Sequence, residues 1–284
     1  MRGRRLGAPW PVAATRVAAV IGHPVTHSLS PVLHNAAFAA CGLDWAYLAF
    51  DVAPGAAGAA LEGMRALGID GLSVTTPHKD DVARLVDRLS PTAERLKAVN
   101  TVVRLGDELV GESTDGQGLV DAVRVDHGFD PAGRRCVVRG SGGAARAVVL
   151  ALAEAGAEVV VVPGRSAANA EAAVALAGAA GRLGAPEEAA GADLVVNATT
   201  LGRPAGPADL PFDPERLGPG QLVVDIVYPV TPFVLAARER GAAAVDGLGM
   251  LLHQAAGAFR LWTGHAAPLE AMSAAVVGAL TQGD

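Results

Sequence analysis

Val137-Val138-Arg139-Gly140-Ser141-Gly142-Gly143-Ala144-Ala145 is the stretch that decides the fold. A short apolar run, suited to a buried strand, ends in G-x-G-x-x-A and passes into an apolar-periodic helix, Ala144 to Ala155. Glycines at these positions permit a tight turn and let backbone N–H groups approach a pyrophosphate at the helix N-terminus. A glycine pattern alone is weak in a chain with 35 glycines, but this one sits at a strand–helix junction inside a β-α-β unit. The following strand, Glu158 to Pro163, leads into Gly164-Arg165-Ser166. An acid there would accept hydrogen bonds from the ribose hydroxyls of NAD. An arginine beside a serine suits the 2′-phosphate of NADP instead. Thr199 and Thr200 follow another apolar strand, Asp193 to Ala198, at the end where ligands gather in such sheets.

Upstream the same alternation recurs. Val17 to Ile21 reads as a buried strand, and Gly22 to Asn35 contains His27-Ser28-Leu29-Ser30-Pro31. Two hydroxyls two residues apart present two small donors to one point, which suits a carboxylate. Pro31 fits the first helical position, which makes Ser30 a candidate N-cap. A helix from Pro31 to Cys41 is expected, then a strand from Trp45 to Val52 and a helix over 55–67 closed by Gly68. Next come a strand from Ile69 to Thr76, one helix from Pro77 through Leu89, and a hairpin of Val99 to Leu105 with Glu108 to Gly111. This half is expected to form a mostly parallel sheet. A second alternating unit begins with a helix near Thr114 to Val125. Leu222 to Val227 is its last apolar strand, Gly202 to Pro219 reads as loop, and two helices (Gly249 to Trp262 and Pro268 to Leu280) close the pattern.

At 284 residues there is room for two α/β domains. Hydrophobic residues are 51%, largely Ala and Val, and aromatics 4%, a balance that suits close-packed helices on a Val-rich sheet. A net charge of −6 gives no footprint for nucleic acid or an anionic membrane, and no apolar run reaches bilayer length. Cys41 and Cys136 lie outside any C-x-x-C spacing, as expected of reduced thiols in a cytoplasmic protein. Residues 1–15 read as an extension rather than a targeting segment. His23, His27, His34 and His78 lack the helical spacing of a metal site, so no metal is expected.

Ser73-Val74-Thr75-Thr76-Pro77-His78-Lys79 puts a lysine in the first turn of a helix, where the helix dipole disfavours it. Asp115 stands at the start of the helix leading into the nucleotide unit, where capping would be its ordinary role. Together they would make a proton-transfer pair, the carboxylate holding an ammonium that donates to a carbonyl oxygen as hydride arrives at its carbon.

With these motifs in order, the sequence resembles the shikimate dehydrogenase family from residue 16 onward. The resemblance rests on HSLSP within Gly22 to Asn35, VTTPHK at Val74 to Lys79, AVNT at Ala98 to Thr101 and STDG at Ser113 to Gly116. GSGGAA at Gly140 to Ala145, NATTLG at Asn197 to Gly202, DIVYPVTPF at Asp225 to Phe233 and DGLGMLLHQAA at Asp246 to Ala256 complete it. It implies a two-domain α/β fold: a substrate domain over 1–114 completed by 247–284, and a Rossmann NADP-binding domain over 115–246. By that resemblance Lys79 and Asp115 are the catalytic pair, and Ser28 and Ser30 bind the substrate carboxylate. Thr75, Asn100, Asp115 and Gln254 hold ring hydroxyls, with Tyr228 nearby. Gly140, Ser141, Gly142, Gly143 and Ala144 take the pyrophosphate, and Arg165 and Ser166 the 2′-phosphate; Thr199, Ile226 and Gly247 line the cofactor. It also implies a cytoplasmic monomer or homodimer that reduces 3-dehydroshikimate to shikimate with NADP.

Several positions depart from the family pattern. Ser73 and Ser113 replace asparagines, Arg139 stands where an aliphatic residue is usual, and Gly164 replaces an asparagine before Arg165. Asn169 lacks the second positive charge often found there, and Arg203 replaces a methionine. Arg139 needs a partner if buried and is a candidate for reaching the cofactor. A quinate-preferring or NAD-preferring relative therefore stays open as an alternative. Less favoured are a non-catalytic sensor on the same fold, which the Lys79–Asp115 pair opposes, and another Rossmann enzyme, which HSLSP and Gln254 oppose.

Overall fold

In the computed structural model, which describes residues 11–164, 166–202 and 209–282, the chain folds as two units. One takes in the described residues up to Ser113 and those from Ala255 onward; the other is Thr114–Gln254.

The first unit runs β1 (Arg16–Gly22), α1 (Ser30–Ala40), β2 (Trp45–Asp51), α2 (Ala57–Leu67), β3 (Gly71–Val74), α3 (Lys79–Leu85), β4 (Arg88–Leu89), α4 (Pro91–Leu96), β5 (Thr101–Leu105) and β6 (Glu108–Glu112). Among the described residues its sheet has the order β2-β1-β3-β5-β6-β4. β1 runs parallel to β2 and β3, and β4 parallel to β6, while β5 runs antiparallel to both β3 and β6; the sheet is mostly parallel, as expected, with β5 the one reversed strand. The two-residue turn at Gly106-Asp107 brings the chain back from β5 into β6, which restores the direction of β3. Ala19, Ile21, Leu61, Met64, Leu72, Val74, Val82, Val99 and Leu109 form its core under α2.

Two local expectations fail here. The single helix expected from Pro77 to Leu89 stops at Leu85, and Arg88–Leu89 pairs with β6. Tertiary partners override helix propensity: Asp87 accepts from the Leu109 backbone at 2.6 Å and from Arg65 at 2.7 Å, which holds the segment extended. Ser90 then caps the new helix α4, accepting from the Ala93 N–H at 3.2 Å. Ser30 is not an N-cap. It is the first residue of α1, Leu29 precedes it without a side-chain cap, and Ser28 Oγ accepts from the Ser30 N–H at 3.3 Å.

The second unit runs α5 (Asp115–Val125), β7 (Arg135–Arg139), α6 (Gly143–Glu154), β8 (Glu158–Val162), α7 (Ala167–Ala177), β9 (Gly181–Leu183), β10 (Leu194–Asn197), β11 (Leu222–Asp225), α8 (Pro232–Glu239) and β12 (Ala243–Val245). Its strands lie β12-β11-β10-β7-β8-β9, every pair parallel. Counted from β7, that is a doubly wound 3-2-1-4-5-6 sheet whose order reverses between β7 and β10. Val137, Val138, Val159, Val160, Val161, Val195 and Val196 are fully buried, as both-face burial of a parallel sheet requires.

The chain returns through α9 (Leu248–Thr263), which crosses from the second unit into the first, and ends its described part in α10 (Leu269–Gln282). In the first unit Trp262 donates from Nε1 to the Val102 carbonyl at 3.0 Å, and Phe259 stacks on Phe38 at 5.5 Å. No helix among the described residues is long and apolar enough to cross a membrane.

Candidate active site

In the first unit, the sequence-predicted polar residues gather at one end of the sheet. The Thr75 N–H donates to the Ile21 carbonyl at 2.9 Å, His23 N–H to Thr76 at 3.0 Å, and Val74 N–H to Asn100 at 2.7 Å. The loop carrying Ser28 and Ser30, the end of β3 carrying Thr75, and the segment carrying Asn100 are therefore stitched together by backbone. Lys79 opens α3, and its carbonyl accepts from the Val99 N–H at 3.0 Å, which fixes the helix start against the Asn100 segment. Asp80 and Asp81 in the same turn offset the dipole penalty of a cation there. Asn100 is buried, and its Oδ1 accepts from the Thr101 hydroxyl at 3.0 Å.

The histidines around this end have structural partners. His78 bonds the Val52 carbonyl through Nε2 at 2.7 Å, and His23 bonds Asp51 at 2.8 Å. His34 is buried against aromatic rings, and burial pushes its pKa down to about 3. Among the described residues no group of three His, Cys, Asp or Glu could hold a metal.

Sequence reasoning missed Tyr47. Its ring is buried and stacks on His34 at 4.4 Å, and its hydroxyl donates to Ser73 Oγ at 2.7 Å. Its backbone is clamped by Asn35, which accepts from the Tyr47 N–H at 2.8 Å and donates to its carbonyl at 3.0 Å. Asn35 thereby satisfies a strand that, among the described residues, stands at the edge of its sheet. The signal available was an inward-facing tyrosine among apolar strand neighbours, since a buried phenol needs a polar partner.

In the second unit, Asp115 is the first residue of α5 and is buried; the capping position belongs to Thr114, whose side chain makes no cap bond. α5 and α9 approach closely where a Cβ on Gly118 would stand 2.6 Å from the Gln254 nitrogen. His253 reinforces that approach by bonding Asp126 at 3.1 Å, and Gln254 donates to the Leu251 carbonyl at 2.9 Å.

The glycine turn lies at the point of strand reversal. Gly140 has φ +123°, where a side chain is strained, and a Cβ there would lie 2.8 Å from the Ala198 carbonyl oxygen. Gly142 precedes the first turn of α6 with nothing within 4 Å of a Cβ position, so open space lies over the helix N-terminus. Ser141 is buried, while Gly143 and Ala144 form the first turn. An unobstructed helix start with glycine backbone is what a pyrophosphate needs, and these residues fit a dinucleotide.

Other predicted positions are partly engaged in structure. Ser166 caps α7, its hydroxyl accepting from the Asn169 N–H at 3.3 Å; Arg165 and Arg203 lie outside the described residues. The Thr199 hydroxyl donates to Asn197 Oδ1 at 2.7 Å and accepts from the Leu201 N–H at 3.1 Å. Asn197 in turn donates to Asp225 at 2.9 Å, and Asp225 accepts from Thr231 at 2.7 Å. Burial pushes the Asp225 pKa up against the pull of those bonds. The NATT and DIVYP motifs thus share one buried network. Ile226 and Tyr228 follow β11, and the Gly247 N–H donates to Val227 at 3.1 Å, so close to Ile226 that a side chain would overlap its carbonyl. Arg139 does not end unpaired: it donates from Nη1 to the Pro211 carbonyl and lies over Phe212 at 5.8 Å, while desolvation lowers its pKa.

These features define an α/β protein built to hold a dinucleotide in one unit, with a hydroxyl-lined polar site in the other. Comparison with known proteins agrees. Family models match for the shikimate dehydrogenase substrate binding domain over residues 20–102, a putative NAD(P)-binding domain over 128–202, and the shikimate 5′-dehydrogenase C-terminal domain over 247–277. The shikimate dehydrogenase (NADP+) of Moorella thermoacetica is 48% identical, with 92% of each chain covered. A crystal structure of shikimate 5-dehydrogenase from Thermus thermophilus in complex with NADP(H) and shikimate matches with a TM-score of 0.86 at 38% identity, covering 93% of this chain and 99% of that one. Quinate dehydrogenase from Corynebacterium glutamicum, in complex with NAD, matches with a TM-score of 0.82 at 31% identity over 93% and 99%. The chain belongs to the shikimate dehydrogenase family.

Proposed function

We propose that this protein catalyses the reversible, NADP-dependent reduction of 3-dehydroshikimate to shikimate. The reading is supported above all by Lys79 opening α3 at the same sheet end as the Ser28–Ser30 loop, Thr75 and Asn100. Ser28 and Ser30 hold the substrate carboxylate, and Thr75, Asn100, Gln254 and Tyr228 take up the remaining polar edge of the ring. Lys79 donates a proton to the carbonyl oxygen in reduction and removes it from the hydroxyl in oxidation; Asp115 holds a ring hydroxyl and holds the ammonium in place. NADPH, when bound, supplies the hydride. Gly140, Ser141, Gly142, Gly143 and Ala144 hold its pyrophosphate, Arg165 and Ser166 its 2′-phosphate, and Thr199, Ile226 and Gly247 line the rest. The protein acts in the cytoplasm, as a monomer or homodimer.

The test is absorbance at 340 nm with shikimate or quinate and NADP or NAD. Rapid reduction of NADP with shikimate alone is expected, and Lys79→Ala should lower kcat by about 10²–10⁴-fold without changing the melting temperature. Preferential turnover of quinate, or of NAD, would replace this reading with the sister activity. Ligand binding without turnover for any pair would leave a sensor.

A further inference from the structure

At the end of β10 every hydrogen bond has its direction fixed. A backbone N–H can only donate, and that of Thr199 donates to Asn197 Oδ1 at 3.1 Å. The Asn197 amide is thereby oriented, with its nitrogen donating to Asp225 Oδ1 at 2.9 Å and to the Leu201 carbonyl at 3.3 Å. The Thr199 hydroxyl lies between an acceptor and a donor. Asn197 Oδ1 takes its proton at 2.7 Å, and the Leu201 N–H donates to its oxygen at 3.1 Å. A hydroxyl has one proton and two lone pairs, so a single lone pair is left over. Thr199 can accept one more hydrogen bond and has none to give.

The place of this oxygen says what could meet it. Thr199 is half-buried, and its methyl lies 3.3 Å from where a Cβ on Gly140 would stand, beside the glycine turn. β10 flanks β7 on one side, and β8, which leads to Ser166, flanks it on the other. A dinucleotide with its pyrophosphate over the turn and its 2′-phosphate end toward β8 carries its second ribose over β10.

Resting on the function proposed above, we infer that Thr199 accepts a hydrogen bond from a hydroxyl of the nicotinamide-side ribose, with Asn197 the positioning residue that fixes this polarity. A phosphate, which can only accept, gains nothing from this oxygen. The turn offers backbone donors to the pyrophosphate while Thr199 offers an acceptor to the next group along. Sliding the ligand by one group would set acceptor against acceptor, so the alternation holds the cofactor in register.

The experiment is calorimetric titration of the full chain with NADP, 2′-phospho-ADP-ribose and 2′-phospho-ADP, a series that loses first the nicotinamide and then the second ribose. Thr199→Val keeps the side chain's shape and removes its oxygen. It should weaken NADP and 2′-phospho-ADP-ribose about fivefold each, the worth of one neutral hydrogen bond, and leave 2′-phospho-ADP within about twofold. Thr199→Ser, which keeps the hydroxyl, should bind all three within about twofold of the parent. Asn197→Ala should weaken NADP severalfold, yet add less than about twofold once Thr199 is valine, because it acts through that hydroxyl. Should Thr199→Val not fold, Thr199→Ala carries the same comparison. An equal loss for 2′-phospho-ADP would mean that the hydroxyl serves a phosphate or the turn's structure, and a loss for NADP alone would move the contact to the nicotinamide; either overturns the inference. A full further loss from Asn197→Ala in the valine background would overturn its positioning role. If the parent turns over shikimate with NADP while Thr199→Val binds all three probes as the parent does, the inference alone falls. A parent that binds no NADP overturns the functional reading, and the inference with it.

Discussion

At the scale of single residues, burial dictates two measurable properties. His34 is neutral in the folded protein down to about pH 3, because its ring is enclosed by Tyr47, Phe38 and Trp262. The unfolded chain takes up that proton below about pH 6.5. Between these two values the unfolded state binds more protons, so stability falls as pH falls, by about 1.4 kcal/mol per unit from this residue. Chemical denaturation from pH 7 to pH 4 should show a shallower acid loss in His34→Phe than in the parent protein. Cys136, in the middle of β7, has its thiol pushed up to about 12 by burial and by the nearby Asp193 carboxylate. A thiol reagent at pH 8 should label Cys41, which is partly exposed, and spare Cys136 until the protein is unfolded. Arg139 shows how far from a residue in sequence its partner can lie. Its departure from the aliphatic pattern is plain, but its carbonyl partner, Pro211, lies 72 residues away and no local pattern predicts it.

At the scale of elements, the glycine turn separates two ways of damaging one motif. Gly140→Ala forces a side chain into a strained backbone and against the Ala198 carbonyl, and should destabilise the protein by about 1–3 kcal/mol. Gly142→Ala meets open space, so thermal stability should hold while the added methyl obstructs the dinucleotide. Calorimetric titration should then report NADP binding weakened by about tenfold or more, roughly 1.4 kcal/mol. This element was legible from sequence because its strand, turn and helix are contiguous. The hydroxyl loop and the Lys79 helix were equally legible, being local patterns of proline, hydroxyl and charge. The break of the expected helix at Leu85 was not, since Asp87 is held by Leu109 and Arg65 from distant segments. The insertion of the reversed strand β5 between β3 and β6 was hidden for a similar reason: the hairpin was visible, but not which strand it would join. Short β9 and β12 and helix α8 fell below the length at which periodicity speaks. Tyr47 escaped because its role depends on Ser73 in a strand 26 residues away, on the far side of β1.

At the scale of the whole molecule, two separate cores imply two separable responses. With the glycine turn in Thr114–Gln254 and the hydroxyl loop in the other unit, scanning calorimetry should resolve two components. NADP at about a hundred times its dissociation constant should stabilise the component of the second unit by about 2.7 kcal/mol, and shikimate should act on the first. A single transition shifted equally by both ligands would contradict this. The chain crosses between the units after Ser113 and again within α9, so the second unit interrupts the first. During synthesis on the ribosome, the interrupting unit has all of its residues as soon as Gln254 has emerged. The host sheet, whose strands were made earlier, must wait for Trp262 to reach Val102, a partner 160 residues behind it. The unit begun first is therefore finished last, and a nascent chain stalled just past Gln254 would carry a complete dinucleotide fold beside a substrate half still exposing its apolar face.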